Sequence, residues 1–175
     1  VPLLSTGLAQ DLEQLFSGTP SYPADHGEAA RGFAAAYAAY AAGALAAPTV
    51  PVSLSLEAAE PTLAQSIESA FRSAASAGDV NALAAALDTA FVAFWLSPPV
   101  QFLPPGPPVV TGLVTLAPPS VLTPLLSALL GAGVTSRASA GSQANSLASV
   151  LDGWTRTVIV TNTPVTGTPV TVPLT

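Results

Sequence analysis

Residues 89–136 contain no charged side chain. An uncharged run of that length has few fates: it crosses a membrane, lies in a core, or is covered by a neighbour. Nine prolines fall within it, Pro98, Pro99, Pro104, Pro105, Pro107, Pro108, Pro118, Pro119 and Pro124. Proline removes the donor that a regular helix needs, and lipid tolerates no irregular backbone exposed to it. The best remaining window, SVLTPLLSALLGAGV at 120–134, is shorter than the ~20 residues of a span. The run is therefore expected to lie against protein, and no membrane span is expected.

The charges that exist are few and one-sided. They make up 8% of the 175 residues, against roughly 25% in an ordinary soluble domain. Nine of the ten acids (Asp11, Glu13, Asp25, Glu28, Glu57, Glu60, Glu68, Asp79 and Asp88) precede residue 89, and the four cations are Arg31, Arg72, Arg137 and Arg156. A net charge of −6 without a basic cluster argues against direct nucleic-acid binding, which needs Arg or Lys in number. With no cysteine, disulfides and thiolate metal sites are excluded.

Periodicity predicts helices along most of the chain. Leu8, Leu12, Leu15 and Phe16 fall at helical spacing within 3–17, before Gly18. Asp25 and Glu28 have the spacing of a capping box and open the stretch GFAAAYAAYAAGALAAP, where Phe33, Tyr37, Tyr40 and Ala44 share a face until Pro48. Alanine on nearly every other side of that helix leaves no solvated face, so the helix is either buried in its own domain or partly covered by a neighbour. A third helix carries Leu63, Ile67, Ala70, Phe71 and Ala74 as far as Gly78. It starts either at a Ser55 cap, with Pro61 inside, or with Pro61 in its first turn. Asp79 caps a fourth helix with Leu83, Leu87, Ala90, Phe91 and Phe94 on one side, making the third and fourth an antiparallel hairpin. Residues 97–119 read as a Pro-rich extended segment with a strand at Val109–Leu116. A fifth helix is expected over 120–130 behind a Ser120 cap, GAGVTSRASAGS as a flexible connection, and a last helix over Leu147, Val150, Leu151 and Trp154. From Thr157 the chain alternates Thr and Val, a strand pattern that prolines restrict to an edge or an extended arm. The fold class expected is all-α, or mainly α: an Ala-rich helical bundle over 1–156 with a short β element, and an extended, strand-like C-terminal arm over 157–175.

No constellation for chemistry stands out, so no catalytic residue, metal ligand or cofactor is expected. His26, the only histidine, lies in a capping turn whose acids the helix N-terminus explains. Glu57, Glu60 and Glu68 lack a base, nucleophile or cation beside them. There is no Gly-x-Ser-x-Gly elbow and no phosphate loop with its lysine. What the chain offers is surface. Phe94, Trp95, Val100 and Phe102, in FWLSPPVQF, form the densest apolar cluster, which reads either as a helix end packing its large residues under a proline turn or as a candidate protein interface. Val158, Val160, Val165, Val170 and Val172 of the arm join them, because an uncharged terminal strand without a guarding lysine is normally paired with something.

The acidic cap with its helix DHGEAARGFAAAYAAYAAG, the Pro-Thr-Val link, the helix pair ending in FWLSPPVQF and the closing SLASVLDGWTRTVIVT resemble a loose group of Ala-rich virion structural proteins of tailed bacteriophages. The resemblance spans most of the chain in motif order and composition, and it implies no catalytic residue. It implies a non-enzymatic structural subunit located in a virion, in head, neck or tail. The partners would be the protein itself and/or other subunits of the same particle. The alternative is a secreted or envelope-associated helical binding module with an apolar pocket.

Overall fold

The computed structural model describes residues 3–18, 21–44, 52–53, 56–96, 101–102, 113–117, 121–136, 138–163 and 170–175. Among the described residues six helices carry the fold: α1 (Ser5–Ser17), α2 (His26–Ala41), α3 (Leu56–Ala77), α4 (Val80–Leu96), α5 (Leu122–Ser136) and α6 (Ala140–Thr155). The expected mainly α bundle is what the chain forms. Each helix packs on the next in sequence, and α1 closes the circuit against α6. Large side chains from α2, α4 and α6 meet in the middle: Tyr37, Phe91, Trp95 and Trp154 are all buried.

The helix ends follow local rules. Gly18 ends α1 with φ +67°, and its N–H returns to the Gln14 carbonyl, a left-handed conformation that glycine adopts without steric cost. At α2 the Asp25 carboxylate accepts from the Glu28 N–H at 2.8 Å, and Glu28 reaches back past the cap to accept from the Ala24 N–H at 2.7 Å. Asp79 Oδ1 accepts from the N–H groups of Asn81 (2.9 Å) and Ala82 (3.1 Å) at the start of α4. Gly78, at φ +67°, makes the preceding turn. Helix α3 starts at Leu56 and runs through Pro61, forgoing the hydrogen bond of that residue.

Tyr37, Tyr40 and Phe33 all face inward, and α2 leaves only His26, Glu28, Arg31, Ala35 and Ala39 exposed. The neighbours of the alanine helix are α1 and α3 on either side and the aromatic residues of α4 across the centre. Phe33 stacks on Phe71 of α3 at 6.5 Å and meets Phe91 edge-on at 5.8 Å, while Tyr37 meets Phe91 and Phe94 edge-on at 4.6 and 5.4 Å. Such pairs contribute about 0.5–1.5 kcal/mol each beyond burial.

One expectation is corrected. Helix α5 does not stop at residue 130: it continues through Gly131 and Gly133 to Ser136, where a flexible connection was expected. Glycine only weakens a helix by about 1 kcal/mol, and Leu126, Leu129 and Leu130 hold the turns just before it on the core. In the C-terminal residues the strands find their partners within the chain. Strands β3 (Leu113–Ala117), β4 (Ile159–Thr163) and β5 (Val170–Pro173) form an antiparallel sheet in the order β3-β4-β5, so the central β4 is paired on both sides within the chain. Beyond β5, the Leu174 N–H donates to the Val158 carbonyl at 3.2 Å, and both side chains are buried. The alternating strand satisfies its backbone inside its own molecule, which removes the need for a donor from outside. A second pair, β1 (Val52–Ser53) and β2 (Gln101–Phe102), joins two otherwise distant segments. Ser55, Ser120 and residues 109–112 of the expected strand lie outside the described residues.

Candidate functional site

At the centre of the bundle Tyr37 hydroxyl accepts from Trp95 Nε1–H at 2.9 Å and shares a hydrogen with Thr155 Oγ1 at 2.8 Å. Three helices thus meet at one buried oxygen. Burial pushes the Tyr37 phenol well above its ordinary value, more than its two hydrogen bonds pull it down. A phenol held neutral between an indole and a hydroxyl ties three helices together, and this hub is a structural clasp.

A second network closes the end of the bundle. Tyr40 hydroxyl donates to Asp152 Oδ1 at 2.6 Å, and Arg156 Nε donates to Asp152 Oδ2 at 3.0 Å. Arg156 also donates through Nη2 to the Leu3 carbonyl at 2.9 Å, fastening the chain's N-terminal side to the end of α6. Burial, and then the carboxylate beside it, drive the Tyr40 phenol upward, and the hydrogen bond that Arg156 donates to Asp152 raises the Arg156 guanidinium.

Carboxylates also approach the N-termini of helices that they do not belong to. Asp88, on α4 and only 7% exposed, accepts through Oδ2 from the Thr123 N–H (2.9 Å) and the Thr123 hydroxyl (2.6 Å) in the first turn of α5. Its Oδ1 is buried without a hydrogen-bond partner. Glu13 of α1 lies over the first turn of α6: a methyl on Gly141 would stand 2.8 Å from its Oε1. Glu68 of α3 lies over the first turn of α2, where a methyl on Gly27 would stand 3.2 Å from its Oε2. In each case an anion meets the positive end of a helix, and at Gly27 and Gly141 the missing side chain makes the room. Sequence reasoning missed these roles. The signal at Asp88 is an acid between Ala84 and Phe91 on the apolar side of α4, which must find a partner when buried.

The sequence-derived interface candidates separate into groups. Phe94, Trp95 and Val158 are buried in the chain's own core, so they are not available to a partner; the aromatic cluster closes the bundle instead. Phe102 lies in β2, with its backbone opposite Val52. Val160 and Val172 are opposite each other, Val160 is also opposite Leu116, and Val170 is opposite Asn162 in the backbone register. Val100 and Val165 lie outside the described residues. His26 is exposed at the start of α2, and among the described residues no group of three His, Asp or Glu side chains is placed to hold a metal ion. Among the same residues no helix is long and apolar enough to cross a membrane.

Two surface features remain. A cleft of about 390 Å³ opens between Phe16 of α1, Leu129 and Leu130 of α5, and Gln143 and Leu147 of α6. The start of α5 and the end of α4 keep apolar side chains on the surface: Val121 is 51%, Leu125 46% and Leu96 59% exposed. No protein-family model, no curated protein and no solved structure matches this chain.

Proposed function

We propose that the protein is a non-enzymatic structural subunit of a large protein assembly, a bacteriophage or phage-like virion, in which it works by being covered rather than by chemistry. The observation that carries this reading is where apolar side chains remain on the surface. Among the described residues six large hydrophobic side chains are exposed, and Leu96, Val121, Leu125 and Ile159 all come from the chain beyond Asp88. That part of the chain has almost no charge to keep it dispersed in water. The resemblance in motif order to phage virion proteins supports the same reading. Contacts would be made by these outer surfaces and by the edges β3 and β5 of the sheet, whose residues are uncharged.

The test is sedimentation of the native protein from its source through a density gradient, with electron microscopy of the fraction that contains it. The expected result is co-migration with large regular particles. Recovery at the top of the gradient as a free chain would overturn the reading. The cleft between α1, α5 and α6 favours a second reading, a helical module that binds an apolar ligand; this requires a thermal midpoint that rises with ligand concentration.

A further inference from the structure

The cleft between α1, α5 and α6 exists because small residues leave it unfilled. Helix α5 borders it with Gly133, where a Cβ would meet nothing within 4 Å, and α6 with Ser142 and Ser146, one turn apart. The walls are apolar: Phe16 of α1, Leu129 and Leu130 of α5, and Leu147 of α6. The space of about 390 Å³ lies at the lower end of the roughly 300–1,000 Å³ of small-molecule sites. Among the described residues no charged side chain lines it. One polar group there is held in a fixed orientation. Gln143 Nε2 donates to the Ala138 carbonyl at 2.8 Å. A carbonyl only accepts, so the amide nitrogen is the atom turned toward it, and Oε1 is the free end. That oxygen accepts nothing from the described residues and is open to solvent.

We propose that this cleft binds a small uncharged molecule with an apolar body and a hydroxyl group, the hydroxyl donating to Gln143 Oε1. The proposal deepens the ligand-binding reading of the cleft and rests on it. The walls account for the body: Phe16, Leu129, Leu130 and Leu147 offer it apolar surface, and covering them removes that surface from water. The free acceptor accounts for the hydroxyl. An ether brings no donor, so seating one there would strip water from Oε1 and replace it with nothing. Charge decides against an acid. The start of α6 would otherwise attract an anion, but Glu13 already faces it: its Oε1 lies 2.8 Å from where a methyl on Gly141 would stand, beside Ser142. Within the same turn the Ser142 N–H is taken by Ser139 Oγ at 3.2 Å. A carboxylate ligand would therefore meet a charge of its own sign and find no cation in the lining. An ammonium would equally find no carboxylate in the lining to offset its loss of water.

The experiment titrates the purified chain with para-propylphenol, its methyl ether para-propylanisole and the anion para-propylbenzoate, following backbone and glutamine side-chain amides by NMR. The phenol is expected to shift Leu130, Gln143 and Leu147 saturably and to raise the thermal midpoint. The ether should bind about three- to tenfold more weakly, the worth of one net hydrogen bond, and the benzoate more weakly still. Gln143→Leu, which keeps the bulk and loses the acceptor, should bind phenol and ether alike. Gly133→Phe, grown into open space at the cleft, should abolish binding of both while its helical circular dichroism is unchanged. Equal affinities of phenol and ether in the wild type would overturn the hydroxyl assignment and leave an apolar cleft. So would a preference for the phenol that survives Gln143→Leu, or a benzoate that binds as tightly as the phenol. No saturable shift with any probe, or full binding by a folded Gly133→Phe, would overturn the site itself and the ligand-binding reading with it. Co-migration with particles is a separate outcome, so the assembly reading stands or fails independently.

Discussion

Replacing Tyr37 with Phe removes one oxygen and no carbon, so it tests the central clasp without opening a cavity. The oxygen accepts from Trp95 Nε1–H and is joined to Thr155 Oγ1. After the substitution the Trp95 N–H is left in a fully buried position with nothing to donate to. An orphaned buried donor costs about 1–3 kcal/mol, and the lost hydrogen bond itself contributes about 1 kcal/mol. Thr155 suffers less, because a helical threonine can turn its hydroxyl to the carbonyl four residues back. The expected loss is about 2–4 kcal/mol, a large part of the 5–15 kcal/mol that holds a domain of this kind together. Urea unfolding followed by far-UV circular dichroism measures it. Repeating Tyr37→Phe in a Trp95→Phe background isolates the cause, since the donor is then already gone and the same change should cost about 1 kcal/mol or less. Equal costs in the two backgrounds, or a wild-type loss below about 0.5 kcal/mol, would refute the clasp.

Alkaline pH should weaken the fold through the same phenol. Its folded value is raised by burial, so its contribution is complete below the ordinary value of about 10 and declines above it by about 1.4 kcal/mol per pH unit. The slope of stability against pH should be shallower in Tyr37→Phe. Asp88→Ala strips the first turn of α5 of its anion and should cost about 2–3 kcal/mol, whereas Thr123→Ala, which keeps the backbone donor, should cost less; equal costs in chemical denaturation would refute the assigned role. Gly78→Ala places a side chain at φ +67° in open space and should cost about 1 kcal/mol of backbone strain alone. Gly18→Ala, at the same φ but with a methyl 2.6 Å from the Tyr22 ring, should lower the thermal midpoint further than Gly78→Ala does.

Local signals in the sequence were sufficient for the helices. The spacing of Phe33, Tyr37 and Tyr40, the caps Asp25 and Asp79, and the glycines at 18 and 78 mark elements through interactions that span a few residues. The same signals fail where a distant segment decides. Nothing near Gly131 shows that Leu126, Leu129 and Leu130 will carry α5 past it. The pairing of β4 with both β3 and β5 depends on chain more than forty residues upstream for one of its two partners. Trp95 and Phe94 read as a sticky end because the residues that cover them, on α2 and α6, are far away in sequence. The Tyr37–Trp95–Thr155 contact joins positions 58 and 118 residues apart, and no periodic pattern encodes it.

The placement of the charges connects the interior to the exterior. A bundle of short helices leaves unsatisfied N–H groups at every helix start, and a chain this poor in charge has few anions to give them. It spends its acids there. Asp25 and Asp79 cap their own helices, while Glu68, Asp88 and Glu13 reach across to α2, α5 and α6. Asp88 shows the consequence most clearly, since the only acid on α4 is consumed inside the bundle and leaves the outer side of that helix neutral. An exposed acid at Ala85 or Ala93 would add to solubility, but neither position faces a helix start that it could serve. The neutral outer side of α4 therefore follows from the same economy of charge that caps the helices.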